Sequence, residues 1–108
     1  MTTYSNTSYA VKNVSTSGST AISSVASGTV AISSLVLSNT SSSPITVNVY
    51  VTRSATNYYI VYQATVPVGG SLEAIQGNRI ILQTSDALYV LASAANSCDA
   101  WASALSVV

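Results

Sequence analysis

The chain has 108 residues, of which six carry a charge: Lys12, Arg53, Arg79, Glu73, Asp86 and Asp99, giving a formal net charge of zero with no histidine. A soluble domain ordinarily devotes about a quarter of its residues to charged side chains; here 21 serines and 12 threonines fill that place beside 48% hydrophobic residues. This balance excludes classical disorder, a membrane-spanning apolar stretch and the basic footprint of a nucleic-acid binder.

At the N-terminus, MTTYSNTSYAVKNV has neither the basic start nor the apolar block of a secretory signal. Residues 1–8 are polar, with Tyr4 as their anchor. They read as an extended arm able to lie along a neighbour as an added strand, and residues 9–108 as one domain near the modal size. Two weaker strands are predicted within 9–26. Residues 29–39 form a long strand candidate in which Leu35 and Leu37 point inward and Asn39 opens the next turn.

The clearest period of two follows Pro44. Ile45, Val47, Val49 and Val51 share one face, and Thr46, Asn48, Tyr50 and Thr52 share the other, as in a half-buried antiparallel strand. A turn at 54–57 leads into a second run at 58–66, a hairpin whose tyrosines are expected on both faces. Pro67, Gly69 and Gly70 then make a bend before a short strand at 72–75. Gln76, Gly77 and Asn78 signal another turn, after which 79–82 reads as a strand ended by Thr84, Ser85 and Asp86. The last strands are 88–94 and 100–107, with a turn at 96–99. In the final strand Trp101, Ser103, Leu105 and Val107 share a face, while Ala100, Ala102 and Ala104 form a row of small residues against which a second layer or a neighbouring subunit can approach closely. Short strands at this spacing indicate an all-β antiparallel β-sandwich of Ig-like or jelly-roll type, with the extended N-terminal arm.

Catalytic chemistry has little to work with. The absence of histidine removes the commonest general base and metal ligand, and with it any Ser-His-Asp or Cys-His arrangement. Glu73, Asp86 and Asp99 could supply a glycosidase pair, but each lies beside a predicted turn where a carboxylate accepts backbone amides. Zinc lacks ligands, calcium lacks a carboxylate-rich loop, and Gly69-Gly70 has no following helix or lysine to cradle a phosphate. No enzyme and no cofactor is expected. Cys98 has no partner for an intramolecular disulfide and reads as a small buried hydrophobe. Tyr58, Tyr59 and Tyr62 read as cross-strand packing or interface anchors in preference to a sugar platform.

A surface rich in hydroxyls and poor in ions can be buried at low desolvation cost, which suits a subunit covered by neighbours. From Ser33 onward the order of elements, "SSLVLSNTSSSPITVNVYV", "YYIVYQATVPVGGSLEAI" and "RIILQTSDALYVLASAANSCDAWASALSVV", resembles small virion structural proteins of tailed bacteriophages. The matching positions are Asn39, Pro67, Gly69, Gly70, Ser71, Leu72, Glu73, Asp86 and the small residues 92–96, while the Ser/Thr-rich N-terminal third lies outside the resemblance.

The resemblance implies an accessory protein of the virion, assembled in the host cytoplasm. Capsid decoration (cement) is the leading role, with a tail, neck or fibre-adaptor subunit as the alternative and a carbohydrate-binding module behind it. Its implied partners are the major capsid protein or other virion subunits and further copies of itself, a trimer being favoured, with no nucleic acid and no membrane. Tyr4, Tyr9, Tyr58, Tyr59 and Tyr62 are the candidate contact anchors, and Arg53 and Arg79 the candidates for orienting hydrogen bonds to a partner's carboxylates.

Overall fold

The structure, a computed structural model, describes residues 4–22, 25 and 28–107, with backbone alone at 76–78. It contains eight strands: β1 (Tyr4–Val11), β2 (Ser19–Ile22), β3 (Thr29–Asn39), β4 (Ile45–Arg53), β5 (Thr56–Val66), β6 (Ser71–Leu82), β7 (Ala87–Ala92) and β8 (Cys98–Val107). They form two four-stranded sheets, one ordered β1-β8-β3-β6 and the other β2-β7-β4-β5, with every pairing antiparallel. Strands adjacent in sequence alternate between sheets except at the β4–β5 hairpin, so the order is that of a jelly roll. Of the weak strands expected within 9–26, β2 is the second, and 23–24 and 26–27 lie outside the described residues.

The core is the seam between the sheets. Val47 and Val49 of β4 and Leu88 and Val90 of β7 meet Ile32, Leu35 and Leu37 of β3, and all are buried. Inward residues of β3 change parity between Ile32 and Leu35. The register with both neighbouring strands shifts between Ile32 and Ser34, so an extra residue is accommodated there, and the Ser33 hydroxyl donates to the Ser103 carbonyl at 3.0 Å. Ala100, Ala102 and Ala104 are buried, so their row admits the opposing sheet and not a neighbouring subunit. Their alternates, Trp101, Ser103, Leu105 and Val107, occupy the outer face.

Two sequence expectations require correction. From Tyr4 onward the expected arm is an edge strand, paired residue for residue with β8 from Tyr4 opposite Val107 to Val11 opposite Ala100; residues 1–3 lie outside the described set. The turn predicted at 76–78 is instead part of β6, where Gln76 to Ile80 oppose only Ser34 to Ile32; an irregularity held by β3 replaces a chain reversal, and Glu73 therefore lies in a strand. The tyrosines of the hairpin are divided between its faces as expected, Tyr58 opposite Val51 on one and Tyr59 opposite Tyr50 on the other.

The bend at 67–70 follows the predicted chemistry closely. The Gly70 N–H donates to the Pro67 carbonyl at 2.9 Å, and Gly69 occupies the left-handed region at φ 69°. A Cβ on Gly70 would lie 2.8 Å from Pro67 Cγ, so the second glycine is required by close approach. The Gly70 carbonyl in turn accepts the Asn39 N–H at 3.0 Å. Asn39, Pro67, Gly69 and Gly70, separate in the sequence motif, thus meet at one end of the sandwich.

Candidate functional site

The outer face of the β2-β7-β4-β5 sheet carries a row of four tyrosine rings. Tyr89 of β7 stacks on Tyr50 of β4 at 5.4 Å between centroids and 8° between planes. Tyr50 meets Tyr59 of β5 at 5.2 Å, and Tyr59 meets Tyr62 edge-on at 5.1 Å and 87°. Tyr50 and Tyr89 reach this face by simple alternation, since their neighbours Val49, Leu88 and Val90 are buried. The other two depend on bulges.

Strict alternation would send Tyr59 and Tyr62, three residues apart, to opposite faces. The register of β5 against β4 shifts twice, between Val47 and Val49 and between Val49 and Tyr50, absorbing one extra residue on each side of Val61. Asn48 holds one of these irregularities: its side-chain carbonyl accepts the N–H of Gln63, a residue at φ 51°. Tyr59 therefore lies opposite Tyr50, and Tyr62 comes round to the same face. Each aromatic contact is worth about 0.5–1.5 kcal/mol beyond area burial.

Stacking covers one face of Tyr50 and one face of Tyr89. Tyr59 and Tyr62 are the exposed rings of the row. Burial, followed by the neighbouring Tyr59 and Tyr89, raises the Tyr50 phenol above its ordinary value and keeps it a neutral donor. Gly18, in the loop before β2, lies above this phenol: a Cβ there would sit 3.1 Å from Tyr50 Oη, and the residue adopts φ 110°.

The opposite outer face is apolar in a different way. Trp101 (55% exposed) and Ile81 (48% exposed) stand on the β1-β8-β3-β6 sheet. Ala10, Trp101 and Val36 align across three strands. With Ser38 they line a shallow groove of about 290 Å³, bounded at one end by Lys12 and Asp99.

Two ion pairs among the described residues tie Lys12 to Asp99 and Arg53 to Asp86. Lys12 Nζ donates to Asp99 at 3.0 Å, and Asp99 also accepts the Asn13 N–H at 3.0 Å. Arg53 grips Asp86 through Nε at 2.9 and 3.2 Å and through a terminal nitrogen at 2.6 Å, while the buried Asp86 accepts the Gln83 N–H at 2.8 Å. Asp86 is thus held at a turn, as its sequence context predicts, whereas Asp99 lies in β8 and accepts an amide remote in sequence. Their pKa values fall below the ordinary carboxylate range, chiefly through the Arg53 hydrogen bond at Asp86 and the Asn13 amide at Asp99. Cys98 is buried, and desolvation followed by the nearby Asp99 pushes its thiol up to about 11.

The remaining sequence candidates are distributed as follows. Tyr4 is exposed near the start of the β1 edge, whereas Tyr9, opposite the inward Ala102, turns toward the core and packs against it. Tyr58 lies opposite Val51, on the other side of β5 from the tyrosine row, and is 57% exposed. Arg79 is exposed on β6, and Arg53 is engaged by Asp86. Tyr50, Tyr89, Trp101 and Ile81 are surface residues that the candidate set omitted. For Tyr50 the signal was the alternation of β4 itself; for Tyr89 it was the placement between Leu88 and Val90.

No protein-family model matches the sequence, and no curated protein matches it. Among solved structures, a chain from Bacillus endospore appendages, described as disulfide-linked pili, matches 97% of this chain and 88% of its own length with a TM-score of 0.56 and 15% identity. A chain from the IBDV viral particle matches with a TM-score of 0.41 and 12% identity over 98% of this chain and 30% of its own. At 15% identity the first likeness shows a shared fold, the β-sandwich derived above from strand order.

Proposed function

We propose that the protein is a non-enzymatic structural subunit of a large assembly, and specifically a decoration protein on the head of a tailed bacteriophage. The observation that supports this is a pair of outer faces rich in exposed aromatic and apolar side chains, with two of the chain's cations neutralised by its own carboxylates. One face presents the tyrosine row and the other presents Trp101 and Ile81, while Lys12 and Arg53 are tied to Asp99 and Asp86. Such faces lose little hydration when covered, and Tyr and Trp are the residues that most often anchor an interface. Many copies binding an assembled lattice better than its separated subunits stabilise it by mass action, with no bond made or broken.

Quantitative mass spectrometry of particles purified from the source organism tests this reading. Decoration predicts hundreds of copies per particle, a tail or neck ring predicts a handful, and absence from every particle overturns both. The match to a chain from spore pili over nearly the whole length of both chains favours a second reading, a filament subunit. Cys98, buried and the sole cysteine, offers no means of linking successive subunits by disulfides, so such a filament would be held by non-covalent contacts. Fibres in electron micrographs of the purified protein would select it.

A further inference from the structure

Each sheet ends in two strands with one free edge, giving β1 and β6 on one sheet and β2 and β5 on the other. Free edges are usually protected by charge, proline, bulges or shortness. Three of these four are. β2 has four residues and an irregular register, β5 is bulged at two places, and β6 is irregular and carries Glu73 and Arg79. β1 has none of these protections. Its eight residues, YSNTSYAV, are uncharged, contain no proline and pair with β8 without a single register shift. Its inward side chains Thr7, Tyr9 and Val11 are only half-buried, because no strand flanks them on the free side.

We propose that β1 is the site of self-association, pairing antiparallel with β1 of a second copy about a two-fold axis at Ser8. The regular edge needs a regular partner, and among the described strands the other edges do not provide one. In an antiparallel ladder, residues directly opposite share a face, and successive pairs alternate between hydrogen-bonded and non-hydrogen-bonded, so in a two-fold pair the numbers of opposed residues must sum to an even value. A centre at Ser8 meets this condition. It sets Thr7 against Tyr9 and Ser5 against Val11, completing cover for the half-buried side chains, and brings the exposed Lys12 opposite the exposed Tyr4 with no like charges facing. The two four-stranded sheets become one continuous sheet of eight. This pairing deepens the assembly reading above by naming the contact between copies, and rests on that reading only for its biological use. A two-fold pair replaces the trimer expected from the family resemblance.

The test uses Ser8→Cys in the otherwise native chain, where Cys98 is buried and stays out of reach. Opposed residues in an antiparallel pair lie about 4.5–5.5 Å apart at Cα, within the range a disulfide bridges. Oxidised glutathione should convert Ser8→Cys almost completely to a covalent dimer. Ser5→Cys, whose two copies would stand about 20 Å apart, should crosslink at least tenfold more slowly. Light scattering should give twice the chain mass for the native protein. Ser8→Lys, which places like charges together at the axis while leaving circular dichroism unchanged, should give the monomer mass. Equal crosslinking at the two positions, a native monomer or a native three-fold mass overturns the pairing. Particle association is measured separately: a crosslinked dimer that never enters a particle leaves β1 pairing intact and removes the decoration role, and a monomer that still coats particles does the reverse.

Discussion

The side-chain amide of Asn39, at the end of β3, donates to the backbone carbonyl of Val66, at the end of β5, across the gap between the two sheets at 3.1 Å. The same nitrogen donates to the Ser43 carbonyl at 2.8 Å, and Asn39 Oδ1 accepts both the N–H and the hydroxyl of Ser41. One buried residue thus satisfies the turn into β4 and fastens β5 of one sheet to β3 of the other. Asn39→Asp keeps the shape but faces two carbonyls with a carboxylate oxygen. A loss of about 2–4 kcal/mol is expected, seen as a lower urea midpoint with an unchanged slope. An unaltered midpoint would show that the clasp is dispensable.

Stability should be flat across neutral pH, because no histidine titrates there. Asp86 and Asp99 are depressed in the folded state, so the unfolded chain takes up protons first on acidification. Their contribution is complete above the ordinary carboxylate range and is lost as pH falls through the depressed values. Cys98, raised to about 11, has the opposite sign, with stability declining as pH rises from the ordinary thiol range toward that value. Asp86→Asn should cost roughly 2 kcal/mol at pH 7 and shrink the acid limb. Thermal melts from acid to alkaline pH would measure both limbs.

Ser54 and Ala55 form the two-residue turn between β4 and β5, at φ 53° and 62°. Hairpins favour positive φ at both positions, but alanine adopts it at a cost. Ala55→Gly should therefore stabilise the protein by about 1 kcal/mol, against the usual trend for glycine. A raised melting temperature checks it.

Tyr59 is 48% exposed at the centre of the tyrosine row. Tyr59→Ala should cost about 1–3 kcal/mol of stability through its two ring contacts, leaving the chain folded, while weakening attachment to its particle tenfold or more. Co-sedimentation with particles distinguishes this from a fold defect. Unchanged attachment, or a specific glycan captured by the native protein on an array, would move the contact elsewhere.

Much of this protein was legible residue by residue because its signals are local. Alternation in 45–52 placed Val47 and Val49 inside and Tyr50 outside, Leu35 and Leu37 point inward as their strand requires, and the turn-side carboxylate Asp86 accepts the Gln83 amide. Composition alone set the scarcity of charge on which the assembly reading rests. The tertiary structure decided whatever depends on a partner strand. Bulges that bring Tyr59 and Tyr62 to one face, the irregularity that carries β6 through 76–78, and the pairing of Tyr4–Val11 with β8 all arise from register against a strand remote in sequence. A period of two is a property of one strand, whereas an inserted residue is tolerated only where a neighbour's hydrogen bonds hold it, and no short window of sequence contains that neighbour.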